Sequence, residues 1–242
     1  MPPVVTATLA VMAVVHAVRT LLLTPRDDAH FLLLFSFIPA RYEHSALAAD
    51  IPGGWGADVW TFVTYAVIHA DWTHLLLNGV WLLAFGSAVA RRFGAARFVA
   101  FSMITAVGGA ALHLATHAGE VWPMVGASAS ISGFMAAAIR FIFQANGPLG
   151  LFSGSVYREP VPPLLTTLRD PRVIAFLVIW FGLNLLFGVG SISLTDQQQT
   201  VAWEAHVGGF LTGLLLFPWF DPVPPARSRQ SDDGTASDPA RN

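Results

Sequence analysis

Residues 203–220 read WEAHVGGFLTGLLLFPWF, a mainly apolar run that contains one carboxylate, one imidazole and three glycines. Its length and hydrophobicity are typical of a helix that spans the hydrocarbon core of a bilayer. Gly209 and Gly213 have the small-xxx-small spacing that lets two membrane helices approach closely. Because an ionisable side chain is costly in lipid, His206 is a functional candidate. The stretch predicts a membrane-spanning helix that packs tightly and presents an imidazole.

The composition of the whole chain also favours a membrane environment. Of the 242 residues, 54% are apolar and 12% are charged, and the mean hydropathy is +0.58. Soluble domains carry about 25% charged residues, roughly twice as many. The net charge of −2 leaves no basic excess, so we expect no nucleic-acid partner.

Two residue types are missing from the sequence. It contains no lysine and no cysteine, so the 13 positions counted as Lys or Arg all hold arginine. The absence of lysine excludes a Walker-A phosphate loop, a Schiff-base enzyme and a Ser–Lys dyad. The absence of cysteine excludes a thiol nucleophile, a disulfide framework and a thiolate zinc site. An arginine-rich chain without lysine is typical of a GC-rich bacterial genome, which favours a bacterial cell membrane as its location.

Six hydrophobic segments divide the chain, each close to the length of about 20 residues that a spanning helix needs. They cover residues 4–23, 73–90, 98–117, 126–143, 172–189 and 203–220. The first lacks a basic start and has too long an apolar core for a signal peptide, so we expect a retained helix. The sequence therefore predicts an all-α, polytopic membrane protein with a bundle of six transmembrane helices.

The same segments divide the chain into four parts. The first transmembrane helix lies within residues 1–25, and residues 26–72 form an extracytoplasmic loop. The apolar run 31–38 in this loop is too short to span, so we expect it in the interface or packed on the bundle. Helices two to six occupy residues 73–220. Residues 221–242 have the composition of a disordered cytoplasmic tail.

The arginines predict the orientation of the bundle. They cluster after the second segment, after the fourth segment and in the tail: Arg91, Arg92, Arg97, Arg140, Arg158, Arg169, Arg172, Arg227, Arg229 and Arg241. The other three loops hold only Arg26 and Arg41 together with many of the acidic residues. The positive-inside rule then places both termini in the cytoplasm, as an even number of spans requires.

The polar residues within the segments exclude several kinds of membrane enzyme. No carboxylate lies at the centre of a predicted helix, and the sequence contains no His-Glu-x-x-His motif. An intramembrane aspartyl protease, a carboxylate-dependent pump and a membrane zinc protease are therefore disfavoured. The lack of an internal repeat also argues against a secondary transporter.

A serine remains as a candidate nucleophile. Residues 126–133 read GASASISG and open the fourth segment at its predicted extracytoplasmic end. Small neighbours leave the Ser128 hydroxyl accessible, and free N–H groups at a helix N-terminus stabilise an oxyanion. The alternative is that these small residues only allow close helix packing. The string is not a Gly-x-Ser-x-Gly elbow, because Ser130 occupies the position of the last glycine.

The sixth and second segments supply partners for this serine. His206 lies one turn inside the sixth segment and can act as a general base, although a lone membrane histidine often serves packing alone. His74 and Asn78 are four residues apart on one helical face and offer N–H donors to an oxyanion. Asn78 can instead form an interhelical hydrogen bond. We interpret Asp71 and Thr73 as helix caps.

The predicted topology brings these side chains together. Segments two, four and six all enter the membrane from the extracytoplasmic side. His74, Ser128 and His206 lie within the first two turns of their helices, so the three converge at one depth below one face.

A second histidine pair, His113 and His117, has a spacing that can bind a metal ion. The sequence shows no third ligand beside it. We therefore expect these side chains at the outer interface or in hydrogen bonds, with no metal and no organic cofactor.

Taken together, residues 58–221 resemble the rhomboid family of intramembrane serine proteases. The resemblance rests on Gly126-Ala127-Ser128 in the fourth segment, on Ala205-His206-Val207-Gly208-Gly209 with Gly213 in the sixth, and on His74 with Asn78 in the second. Ile38-Pro39-Ala40-Arg41-Tyr42, ahead of the second segment, has a bacterial look. These motifs are specific because they occur together and in order.

The resemblance implies a Ser–His dyad that cleaves transmembrane segments of membrane proteins near the extracytoplasmic face. By this resemblance Ser128 is the nucleophile and His206 its general base, and the oxyanion hole consists of His74, Asn78 and the Ser128 N–H. His69 matches a second histidine often found near that hole, and Gly126 and Gly209 support the site.

One residue departs from the family pattern. Ala129 replaces the glycine that usually follows the nucleophile, and a methyl group here could hinder the approach of a substrate strand. The alternative function is therefore a non-catalytic, rhomboid-like membrane protein that binds transmembrane segments. The presence of both Ser128 and His206 argues against it.

Overall fold

The computed structural model describes residues 1–43, 50–144, 155–189 and 202–225. These parts of the chain are helical, and their only strand-like pairing is an isolated bridge between Phe37 and Met124. The predicted all-α class is confirmed. The helices are α1 (Pro3–Leu21), α2 (Pro25–Phe35), α3 (Gly54–Thr64), α4 (Trp72–Phe93), α5 (Ala95–Thr116), α6 (Ser128–Ala138), α7 (Leu164–Leu168), α8 (Pro171–Val189) and α9 (Trp203–Phe220).

Every predicted hydrophobic segment overlaps one of these helices over most of its length. Within the described parts, α1, α4 and α5 are long and apolar enough to cross a membrane, with 19, 22 and 22 residues. α8 has 19 residues and α9 has 18. The number of helices that cross the bilayer stays a prediction, while the integral-membrane character of the chain is clear from these spans.

α6 is shorter than the sequence predicts. It has 11 residues and ends at Ala138, whereas the predicted segment extends to residue 143. All its residues from Ala129 to Ala138 are buried. Because other helices and not lipid surround α6, its length is set by its neighbours rather than by the thickness of the bilayer.

The described parts of the predicted loop 26–72, residues 26–43 and 50–72, are largely folded against the bundle. It contains α2, a 3₁₀ turn at Pro39–Tyr42 and α3. The N–H and C=O groups of Phe37 pair with those of Met124, at 3.1 and 2.8 Å. Phe37 and Ile38 are fully buried, so the apolar run packs on the protein rather than lying free at the interface.

At the opposite end of the bundle, a buried ion pair holds the chain that follows α9. Both oxygens of Asp221 accept hydrogen bonds from Arg92, each at 2.8 Å. Arg92 also donates to the carbonyls of Val156 and Glu159. The predicted tail therefore begins later than expected, because Asp221 belongs to the folded part. Residues 226–242 of this tail, and residues 145–154 of the predicted cytoplasmic loop, lie outside the described residues.

Three helices, α5, α6 and α9, form the centre of the bundle. A Cβ atom built on Gly209 would lie 2.1 Å from the backbone oxygen of Ala129, and one on Gly213 would lie 2.6 Å from that of Gly133. On the other side of α9, a Cβ on Gly208 would lie 2.5 Å from the oxygen of Gly108 in α5. The close approach predicted from the glycine spacing is thus confirmed.

We predict that Gly209→Ala destabilises the protein by about 1–3 kcal/mol, because the methyl group forces α9 away from the α6 backbone. Gly182→Ala in α8 is the matched control, since a Cβ there meets no atom within 4 Å. Thermal unfolding in detergent measures both. Equal melting temperatures for the two variants would contradict the close packing.

Candidate active site

Ser128 and His206 meet at the end of the bundle where α6 and α9 begin. Ser128 is the first residue of α6, and His206 lies in the first turn of α9. Their Oγ and Nε2 atoms are 2.7 Å apart, although the residues are 78 positions apart in the chain. This is a direct hydrogen bond between a hydroxyl and an imidazole.

The other ring nitrogen of His206 forms a hydrogen bond with Asn184 of α8. His206 Nδ1 and Asn184 Oδ1 are 2.6 Å apart. The Asn184 amide donates to the Trp180 carbonyl at 2.8 Å, so its oxygen faces the histidine and can only accept. Nδ1 therefore carries the proton, and the lone pair of Nε2 accepts from the Ser128 hydroxyl. Asn184 thus sets both the tautomer and the orientation of the ring.

Asn184 was not among the predicted site residues, because it lies outside the motifs that contain Ser128, His206 and His74. A signal was present, since Asn184 is an uncharged polar residue in an otherwise apolar membrane helix. Such a residue needs a hydrogen-bond partner in the bundle. Its partner, however, lies in another helix and could not be read from spacing along the chain.

The neighbouring serines of α6 are engaged elsewhere. The Ser130 hydroxyl donates to the Ser102 carbonyl of α5, and the Ser132 hydroxyl donates to the Ser128 carbonyl, both at 2.8 Å. Both side chains are buried. Among these three serines, only Ser128 has a hydroxyl that is hydrogen-bonded to an imidazole.

The backbone before Ser128 is held by two loop contacts. The Met124 pairing with Phe37 fixes one point, and the Gly126 N–H donates to the Tyr65 carbonyl at 3.0 Å. Gly126 has a φ of +125°, and a Cβ there would lie 2.8 Å from the His74 ring and 3.7 Å from Ser128 Oγ. Glycine is therefore required for both conformation and space, and the His74 ring lies on the Ser128 side of this loop.

α4 positions His74 and Asn78. Asp71 caps the helix, as predicted, by accepting from the His74 N–H at 2.7 Å. Asn78 is buried, and its amide donates one hydrogen to the His74 carbonyl at 3.0 Å. The second hydrogen of this amide remains for another acceptor. His74 adjoins the loop before the serine, while no hydrogen bond joins Asn78 to Ser128 among the described residues.

His69 lies beside His74. Its ring is fully buried, 5.2 Å from that of His74, and its nitrogens have no hydrogen-bond partner among the described residues. Burial lowers the pKa of His69 to about 3, and the neighbouring His74 adds to the effect, so the ring is neutral at pH 7. The His69 carbonyl accepts from His16 and Arg19 of α1, which ties α1 to the site.

The methyl group of Ala129 points into the packed centre. Ala129 is 1% exposed and packs in a cluster with Tyr65, Ala106 and Ala205. A Cβ built on Gly109 of α5 would lie 2.5 Å from that of Ala129. The methyl group thus occupies space between α6 and α5, and does not face outward.

Comparison with known proteins identifies the family of this chain. The family model of the Rhomboid domain matches residues 56–220. The chain belongs to the rhomboid family, which includes intramembrane proteases.

Individual relatives are distant. Rhomboid protease GlpG of Enterobacter sp. (strain 638) is 26% identical over 170 residues, covering 66% of this chain and 48% of its own length. Rhomboid protease AarA of Providencia stuartii is 23% identical over 172 residues, covering 66% and 55%. RHOMBOID-like protein 4 of Arabidopsis thaliana is 27% identical over 199 residues, covering 78% and 43%. The chain spans about half the length of these relatives.

Proposed function

We propose that this protein is an intramembrane serine endopeptidase that cleaves transmembrane segments near the extracytoplasmic face. Ser128 is the nucleophile and His206 the general base. The observation that carries the proposal is the 2.7 Å hydrogen bond between Ser128 Oγ and His206 Nε2. Membership of the rhomboid family supports it.

The reaction begins with attack of Ser128 Oγ on a peptide carbonyl while His206 Nε2 accepts the hydroxyl proton. The tetrahedral oxyanion is stabilised by the Ser128 N–H, by free N–H groups at the start of α6 and by donors from His74 and Asn78. When the intermediate collapses, His206 protonates the leaving amine and an acyl-enzyme forms. Water, activated by His206, then hydrolyses the ester and restores Ser128.

Asn184 acts in this scheme as a positioning residue. It contacts neither the substrate nor the attacking oxygen. Its oxygen accepts a hydrogen bond from the Nδ1–H group of His206, which keeps the Nε2 lone pair directed at the Ser128 hydroxyl. The same oxygen stabilises the imidazolium that forms during attack. This is the task that a carboxylate performs in a Ser-His-Asp triad, here carried out by a neutral amide.

The site is suited to substrates whose helix is already weakened. A peptide carbonyl in an intact helix is hydrogen-bonded and shielded, so attack needs local unwinding. Glycine or proline in the substrate lowers the cost of that unwinding. The site lies within one or two turns of the helix ends, where water from the extracytoplasmic side reaches the acyl-enzyme.

Ala129 supports peptidase activity over the alternative of a non-catalytic binding protein. The departure from the usual glycine would matter if the methyl group met the substrate. Its burial against α5 leaves the space in front of Ser128 free of it.

We predict that Ser128→Ala and His206→Ala each reduce cleavage of a model transmembrane substrate to background, because each removes one half of the proton-transfer pair. Ser130→Ala and Ser132→Ala are matched controls and retain cleavage, since their hydroxyls bond backbone carbonyls. The measurement is a gel assay with purified protein in detergent or liposomes. Cleavage by Ser128→Ala would refute the nucleophile.

A serine-reactive phosphonate separates the two candidate functions. We expect it to label the wild type and not Ser128→Ala. A wild-type protein that binds the substrate segment but is neither labelled nor active would establish the non-catalytic alternative.

For Asn184→Leu we predict a loss in kcat on the order of 100-fold with little change in KM, because the imidazole loses its orientation while the substrate surface is retained. Asn184→Asp keeps an acceptor oxygen and restores most of the rate. A purely structural role predicts instead that thermal stability and activity fall together in both variants, and that outcome would contradict positioning.

We predict that the termini face the cytoplasm and that the site faces outward. Because the chain contains no cysteine, single cysteines report topology directly. A membrane-impermeant maleimide added to intact spheroplasts labels Val121→Cys, at an exposed position before α6, and labels Ala95→Cys, at the start of α5, only after lysis. The reverse pattern would place the site in the cytoplasm.

A further inference from the structure

A second cluster of polar side chains joins the last turns of α5 to the first turn of α9. His113 lies in the last turn of α5 and His117 directly follows that helix as its C-cap. Glu204 lies on α9, two residues before His206. One ring nitrogen of each histidine and one Glu204 carboxylate oxygen all lie within 4.8 Å of one another. The two imidazoles stack with their centroids 4.5 Å apart and their planes at 21°. The fold thus supplies the third group that the sequence did not show.

The hydrogen bonds of Thr116 bear on which ring nitrogen of His117 carries the proton. The single hydroxyl proton of Thr116 is directed to the backbone carbonyls of Leu112 and His113, at 3.0 and 3.2 Å. With its proton on one of these carbonyls, Thr116 Oγ1 is available to accept a hydrogen bond from His117 Nδ1, 2.9 Å away. In the neutral ring the lone pair of Nε2 then points toward Glu204 Oε1 at 3.8 Å. A lone pair and a carboxylate repel each other unless a positive charge lies between them.

His113 adds a buried ring nitrogen that forms no hydrogen bond within the described residues. It is 5% exposed, and its Nδ1 has no hydrogen-bond partner among the described residues. Its Nε2 lies 4.0 Å from Oε2 of Glu120, an oxygen that is also buried without a partner there. Unsatisfied polar atoms of this kind cost free energy, and here they concentrate where two imidazoles and two carboxylates meet.

We propose that His113, His117 and Glu204 bind a divalent transition-metal cation, with Glu120 adjacent to the site. Two imidazole nitrogens and a carboxylate oxygen, without thiolates, are a donor set that suits Zn²⁺. Tetrahedral bonds of about 2.0–2.1 Å place ligand atoms roughly 3.4 Å apart, so the cluster closes with side-chain shifts of about 1 Å. Thr116 orients His117, as residues behind metal ligands commonly do.

The cation would be structural rather than catalytic. It would link the end of α5 to the first turn of α9, directly before the imidazole that meets Ser128. The proposal does not depend on the peptidase function, because its ligands take no part in the Ser128–His206 hydrogen bond.

Cobalt(II) is a direct probe, since a tetrahedral site of this kind gives visible absorption. We expect chelator-treated protein, purified without a polyhistidine tag, to bind one equivalent of Co²⁺ with a higher melting temperature, and Zn²⁺ to displace it. Glu204→Gln and His117→Asn lose the spectrum. His30→Asn, at an exposed position on α2, is the control and retains it.

Two further variants keep the test decisive. Thr116→Val preserves the shape of the side chain and weakens binding on the order of 10- to 100-fold, because His117 loses its orientation. Ser128→Ala binds Co²⁺ like the wild type, so the metal site and the peptidase function can fail separately. A wild type without a Co²⁺ spectrum, or with one that survives Glu204→Gln, would overturn the proposal and leave an imidazole–carboxylate cluster that joins two helices.

Discussion

α9 lies against α5 and α6 at backbone distance, with glycines at the crossing points. At Gly209 and Gly213, hydrogen atoms take the place of side chains and the carbonyls of α6 fill the space. In a bilayer such contacts stabilise a bundle by van der Waals packing, because lipid supplies no hydrophobic drive for helices to associate. The short Ser128–His206 hydrogen bond depends on this crossing. A wider separation of the two helices would place the imidazole out of reach of the serine.

Two groups of polar side chains, at opposite ends of the bundle, are joined by hydrogen bonds. At the end predicted to face the cytoplasm, Arg92 and Asp221 form a buried ion pair. Arg92 also donates hydrogen bonds to two backbone carbonyls. At the opposite end, Asn184, His206 and Ser128 form a linear chain in which each donor has one acceptor. This chain has a direction, because the Trp180 carbonyl fixes the Asn184 amide and the amide fixes the imidazole. The proton therefore leaves Ser128 toward His206 in the proposed reaction.

Much of the site was accessible from the sequence because its members lie in short motifs at helix ends. Gly126 and Ser128, Gly209 and His206, and His74 and Asn78 are each separated by four residues or fewer, so helical periodicity relates them. Asn184 was missed because its role appears only across the α8–α9 contact. Glu204 was missed as a partner of His113 and His117 for the same reason, since it lies on a different helix. α6 was predicted too long because a hydropathy pattern does not distinguish helix ends inside protein from ends in lipid.

The sequence by itself determined the membrane environment, the helical class, the predicted orientation and the residue types available for chemistry. These follow from hydrophobicity, from the placement of the arginines and from the absence of lysine and cysteine, all of which are local properties of the chain. The tertiary structure decided which polar groups meet: Ser128 with His206, His206 with Asn184, and the Ala129 methyl group with α5 rather than with the space before the serine. Such pairings depend on the rotation and separation of packed helices, and these are set by contacts between residues far apart in sequence.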